Sequence, residues 1–200
     1  MSEVEVPLRD QILDISRHML FKEGYRSLSM RKIAKKANVT ATSIYLYFEN
    51  KDHLLHTLIE ESVEDLSRFI EDQALPKTDN IDRFKAIIQS YVEFGMHHPE
   101  KYEIIYRVRS DSMARYPKEK FRKARRAYEL LVQTIEESVE QRLMEVDDPL
   151  VAAYSIWAQL HGVVSVVLNG RLDSRINKEQ FIEESIEHVI QGFLERASVS

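Results

Sequence analysis

The chain has 200 residues, 44% apolar and 30% charged, with no cysteine and a net charge of −5. A chain of this length can bury about 70% of its unfolded surface, so a disordered chain, a collagen-like repeat and a disulfide scaffold are excluded, and so are thiol catalysis, cysteine zinc sites and iron–sulfur clusters. The charge is uneven: residues 1–55 hold nine Lys/Arg against seven Asp/Glu, and 101–126 hold ten against three, so basic patches stand on an acidic chain and can attract a polyanion locally.

The first ten residues are acidic and lack an apolar h-region, so no signal peptide is expected and a cytoplasmic chain is the natural reading. A first helix starts near Pro7, carries Leu8, Ile12, Ile15 and Met19 on one face, and closes at Gly24. Ser29 can cap a short second helix and Thr40 a third, running to about Leu46. Asn50 can cap a fourth that reaches about Ala74. A fifth covers about Ile81 to His97 and stops at His98-Pro99. A sixth follows from Glu100 to about Arg109, and a seventh from about Pro117 to Met144. Asp148 with Pro149 reads as a cap and first-turn proline for an eighth helix ending at Asn169-Gly170. Asn177 with Gln180 resembles a capping box for the last, to about Ala197. No strand alternation and no internal repeat stand out, so the expected fold class is all-α.

Residues 149–170 contain no charged side chain and are long enough to cross a bilayer. Ser155, Gln159, His161, Ser165 and Asn169 are spread through the run, which favours a buried or interfacial helix and no membrane. The last helix repeats Ile182, Ile186, Val189 and Phe193. Two neighbouring helices with wide apolar faces point to a homodimer built on them, against the plainer reading of an intrachain core.

Residues 29–48, SMRKIAKKANVTATSIYLYF, have the spacing of two short helices joined by a tight turn. Ala34 is small where the helices cross, Asn38 suits a left-handed turn position, and Val39 and Ile44 plug the space between. This is the logic of a helix-turn-helix whose second helix enters a major groove. Ser29 and Thr40 bring hydroxyls and backbone N–H groups to helix starts where phosphates can bind. Arg26, Arg31, Lys35 and Lys36 add positive charge, Tyr45 and Tyr47 add phenol donors, and Lys51 opens the next helix.

The stretch Arg9 to Leu55 resembles the N-terminal domain of TetR-family transcriptional regulators. The matching residues are Ile12-Leu13, Leu20-Phe21, Glu23-Gly24-Tyr25, Ser29, Ile33-Ala34, Ala37, Val39-Thr40, Ile44-Tyr45, Phe48, Lys51 and Leu54-Leu55. Trp157 to His161-Gly162 is similar to the pattern of one C-terminal subclass. The resemblance implies a three-helix DNA-binding head, about 1–55, and a helical effector-binding and dimerisation body, about 56–200. It also implies a dimer on pseudo-palindromic operator DNA, released when a small-molecule effector binds. Two positions depart from the family: Asn38 and Thr42 stand where glycine is usual. Thr40 to Tyr47 contains no Arg, Lys, Asn or Gln, so bidentate reading of guanine or adenine is closed to it. Ala41, Thr42, Ser43 and Tyr45 are the expected DNA-facing residues; Thr42, Ser43 and Tyr45 would read base edges and thymine methyls, helped by DNA shape.

Six bases lie within Lys118 to Arg126, with Lys118, Arg122 and Arg125 on one helical face. They read as a solvated face, as an anion site for DNA or an effector phosphate such as that of an acyl-coenzyme A, or as a protein contact. Tyr91, Phe94, Tyr102, Tyr106, Phe121, Tyr128, Trp157 and His161 are candidates for an apolar effector pocket, the alternative for each being core packing. His53/His56 and His97/His98 lack further ligands, and no metal or cofactor is expected. The five glycines are scattered, and Glu-x-x-His, His-Glu-x-x-His and nucleophile-elbow patterns are missing, so enzyme readings find no support. The expected function is that of a DNA-binding repressor; the alternative is a helical ligand-binding or scaffold protein without DNA affinity.

Overall fold

The computed structural model describes residues 6–107 and 125–194, and among these every regular element is helical. The helices are α1 (Leu8–Glu23), α2 (Met30–Lys36), α3 (Ala41–Tyr45), α4 (Lys51–Ala74), α5 (Asn80–His97), α6 (Pro99–Arg107), α7 (Arg126–Glu140), α8 (Pro149–Leu168) and α9 (Lys178–Leu194), with a 3₁₀ turn at Tyr25–Ser27. The parts of the expected sixth helix beyond Arg107, of the seventh before Arg125 and of the last beyond Leu194 lie outside the described residues.

The helix starts follow from their capping side chains. Ser29 Oγ accepts from Lys32 N–H, Thr40 Oγ1 from Ser43 N–H and Asn50 Oδ1 from His53 N–H. Asp148 Oδ1 accepts from the N–H groups of both Leu150 and Val151, and Pro149 between the cap and these donors has no N–H to satisfy. Asn177 caps α9 through Gln180 N–H at 2.8 Å. The reciprocal half of the expected capping box is not made, because the Gln180 amide instead donates forward to Glu184 Oε1.

Three helix ends share one closure. After α2, Asn38 (φ 53°) and Val39 donate to Lys35 and Ala34 carbonyls. After α7, Arg142 (φ 58°) and Leu143 donate to Val139 and Ser138. After α8, Gly170 (φ 61°) and Arg171 donate to Val167 and Val166. Each is a Schellman motif, which needs a left-handed residue just past the helix. Asparagine and glycine advertise such a position; arginine does not. The expected end of the seventh helix at Met144 is therefore too late: the helix stops at Glu140, and Met144 is buried beyond the turn.

The chain divides into two compact units. One runs up to Glu64 and takes in the segment starting at Glu100. Its core gathers Ile12, Leu20, Ile33, Ile44, Phe48, Leu55 and Leu58, and Ile104 of α6 joins them. The second holds Asp65–Pro99 and the residues from α7 onward. There α5 packs on α7, α8 and α9, and α8 packs on α7 and α9. Two ion pairs tie this unit: Arg83 to Glu137 at 2.9 Å, and Arg126 to both carboxylate oxygens of Glu71 at 2.6 and 2.7 Å. The α8 helix is long and apolar enough to cross a membrane by length and composition, yet Ala153, Ile156, Leu160 and Val164 are buried against neighbouring helices.

A non-glycine residue at a left-handed position costs about 1 kcal/mol. Replacing Arg142 by Gly is expected to raise the unfolding free energy by roughly that amount, read as a higher midpoint in chemical denaturation. Asn38→Gly should gain less, since Asn tolerates the conformation.

Candidate functional site

The head of the first unit exposes one short helix. In α3, Ile44 is fully buried while Thr42, Tyr45, Leu46 and Tyr47 face solvent. The anchoring residue and the outward face are thus fixed by the same turn of helix. Ala41 and Ser43 are half-buried at its flank. The Ser43 hydroxyl lies 2.9 Å from Thr40 Oγ1, so it is engaged in the cap, and of the three residues expected to read bases it is the least presented.

The basic residues differ in their freedom. Arg26 and Arg31 are exposed. Lys36 Nζ donates to Glu23 Oε1 at 3.1 Å, and this contact holds the Glu23 carboxyl below the ordinary carboxylate range. Lys51 is turned inward: its ammonium donates to the Tyr25 carbonyl at 2.8 Å and sits 3.7 Å from the centre of the Tyr25 ring. Burial pushes the Lys51 amine below the usual lysine range, with Asp52 opposing. The contact staples the start of α4 to the 3₁₀ turn by a charged hydrogen bond and a cation–π contact together.

The aromatic candidates separate into groups. Tyr91 and Phe94 are buried in α5, where the Phe94 ring meets Phe69 and His98 at 5.8 and 5.0 Å. Tyr102 is buried and Tyr106 half-buried on α6, their rings 4.7 Å apart. Tyr128, Trp157 and His161 form one row through Tyr154: Tyr128 to Tyr154 at 5.9 Å, Tyr154 to Trp157 at 5.3 Å, and Trp157 stacked on His161 at 5.5 Å and 16°. The Tyr128 hydroxyl donates to the Leu150 carbonyl, and burial pushes it above the usual phenol range. Burial lowers the His161 imidazole, favouring its neutral form. Phe121 and the bases Lys118, Lys120, Arg122 and Lys123 lie outside the described residues. Of the remaining two bases Arg125 is exposed and Arg126 pairs with Glu71. Among the described residues no three His, Cys, Asp or Glu gather as a metal site.

Leu46 and Tyr154 were not singled out from the sequence. Tyr154 shares the helical spacing of Trp157, three residues on, which is the one signal that could have found it. Leu46 reads in sequence as one more apolar residue of a core helix, and only its exposure separates it from Ile44.

The staple predicts that Lys51→Met loses about 1–2 kcal/mol of stability, measured by chemical denaturation. A freely solvated lysine would leave the unfolding free energy unchanged within about 0.5 kcal/mol. For His161 the folded imidazole binds its proton less well than the unfolded one, so the unfolded chain takes up protons first as pH falls. Stability from this group is complete above the unfolded histidine range and declines below it. Melting between about pH 7.5 and about pH 5.5 should therefore show a drop that His161→Gln reduces.

Two family models cover most of the chain. The description "Bacterial regulatory proteins, tetR family" matches residues 12–58, and "Tetracyclin repressor-like, C-terminal domain" matches residues 84–193. An uncharacterized HTH-type transcriptional regulator of Haemophilus influenzae is 47% identical over 55 residues, which is 28% of this chain and 29% of that protein. The chain spans less than half the length of the curated relatives it matches. Among solved structures, a protein of unknown function from Rhodococcus sp. RHA1 superposes with a TM-score of 0.78 at 21% identity, covering 97% of this chain and 99% of that one. AibR in complex with isovaleryl coenzyme A and operator DNA superposes with a TM-score of 0.74 at 17% identity, covering 94% and 98%. At such identities the structural likeness speaks for the fold, while the model spanning residues 84–193 takes in more than half the sequence and a second model of the same family matches residues 12–58. The chain belongs to the TetR family of bacterial regulatory proteins.

Proposed function

We propose that the protein is a homodimeric DNA-binding repressor of the bacterial cytoplasm, released from its operator by a small-molecule effector. The observation that carries the reading is α3 itself: a capped helix pinned by Ile44, with its opposite face bare to solvent. Thr42, Tyr45 and Tyr47 make base-edge and backbone contacts, and Arg26, Arg31 and the Ser29 and Thr40 hydroxyls supply the phosphate grip. Ser43 supports the cap, and Lys51 contributes charge at the head of α4.

The dimer forms through α8 and α9. Val151, Tyr154, Ser155, Ala158, Gln159 and Gly162 line one exposed, uncharged face of α8, and a Cβ placed on Gly162 meets nothing within 4 Å. Small residues at that spacing let a second helix approach closely. The division of labour is a head of about 1–55 and a body of about 56–200. The effector is an apolar or anionic compound such as an acyl-coenzyme A, a class supported by the isovaleryl coenzyme A in the AibR complex. Among the candidates in the second unit, Tyr128, Trp157 and His161 share a row with Tyr154, and this row is the best organised to meet it. Effector binding favours a body arrangement in which the heads no longer match successive major grooves.

Selection from a random DNA pool, followed by salt titration of the winning duplex, tests the reading. The expected result is a pseudo-palindrome with half-sites about one helical turn apart, bound with a steep fall of log affinity against log salt. Addition of an acyl-coenzyme A should then weaken binding. Equal, weak binding to all sequences would favour the scaffold or ligand-carrier reading instead.

A further inference from the structure

The most exposed large apolar side chain in the described structure is Leu46, at 80%, and it stands at the end of the helix that faces outward from the head. Its backbone keeps helical angles, φ −68° and ψ −25°, so the side chain continues the spiral of α3. Thr42, four residues earlier, therefore lies on the same face, while Ile44 is buried on the opposite one.

A lone exposed leucine is ordinary on a protein surface. This one differs in its surroundings. From Thr40 to Tyr47 there is no charged or amide side chain, so the outer face of α3 offers only hydroxyls, phenols and hydrocarbon. The phenols of Tyr45 and Tyr47, both exposed, can donate to phosphate oxygens. Leu46 has no hydrogen-bonding atom and can recognise only an apolar feature. The major groove presents one, the C5 methyl of thymine.

We propose that Leu46 seats against a thymine methyl, making one T·A pair in each operator half-site a specificity position that no hydrogen bond reads. The inference rests on the DNA-binding reading above. It assigns to hydrocarbon contact the discrimination that a recognition helix without Arg, Lys, Asn or Gln cannot obtain from bidentate hydrogen bonds.

The test uses the full chain and the duplex enriched from a random pool. Each thymine is replaced in turn by deoxyuridine, which removes the methyl and leaves every hydrogen-bonding group in place. Wild type should lose about tenfold in affinity at one symmetry-related pair of positions. Leu46→Ala should already have lost about as much on the thymine duplex and should not distinguish thymine from deoxyuridine there. Leu46→Met, which keeps apolar bulk, should retain the discrimination. Since Leu46 is exposed, both variants should melt like the parent, and a melting scan checks this. If Leu46→Ala weakens binding equally to the thymine and deoxyuridine duplexes, the leucine touches sugar or backbone and the proposal is overturned. It is also overturned if wild type responds to no methyl. An empty selection would instead strike the DNA-binding reading itself, and this inference with it.

Discussion

A five-residue helix has no stability of its own, because nucleation costs more than one turn of hydrogen bonds returns. The α3 helix exists because Ile44 is fully buried and because the chain can reverse sharply enough at Asn38 to bring it there. The Asn38 and Val39 N–H groups close α2, and Thr40, the very next residue, opens α3. Everything α3 presents to solvent depends on this arrangement. The buried residue sets the rotation of the helix, and its rotation sets which side chains can meet a partner. A change at Ile44 would therefore re-aim the exposed face of α3 without touching any residue on it.

Local chemistry made much of this legible in the sequence. Ser29, Thr40, Asn50, Asp148 and Asn177 all cap the helices that follow them, because a side-chain oxygen one position before a helix has a donor waiting within three residues. Gly24 and Gly170 mark ends for the complementary reason, since both sit at positive φ. The three-helix pattern of the head also depends on short separations in the chain, and it came through for that reason.

The features that were hidden depend on tertiary partners or on exposure. Nothing local in Arg142 signals a left-handed conformation; burial of Met144 past the turn competes with continuation of α7. Lys51 reads as a free cation until the fold brings the Tyr25 carbonyl and ring beneath it, 26 residues away in sequence. Gln180 had the Asn177 backbone N–H behind it and the Glu184 carboxylate ahead, and its amide donates to the carboxylate. Ile104 belongs to the core of the first unit although it follows the chain's passage through the second, a placement that no window of sequence can see. The candidate site divides the same way: the hydroxyl and phenol positions on α3 follow from local spacing, while the exposure of Leu46 and the joining role of Tyr154 arise only from tertiary packing.

The aromatic row on α7 and α8 has an optical consequence. Trp157 is the chain's single tryptophan, and its indole lies nearly parallel to the His161 ring. All indole fluorescence of the protein thus originates at one address inside the second unit. An imidazolium quenches a stacked indole more than the neutral ring does, so protonation of His161 is expected to dim the emission. A molecule inserted beside the pair would change the same signal. The protein carries a built-in, unlabelled reporter on the aromatic row that joins α7 to α8.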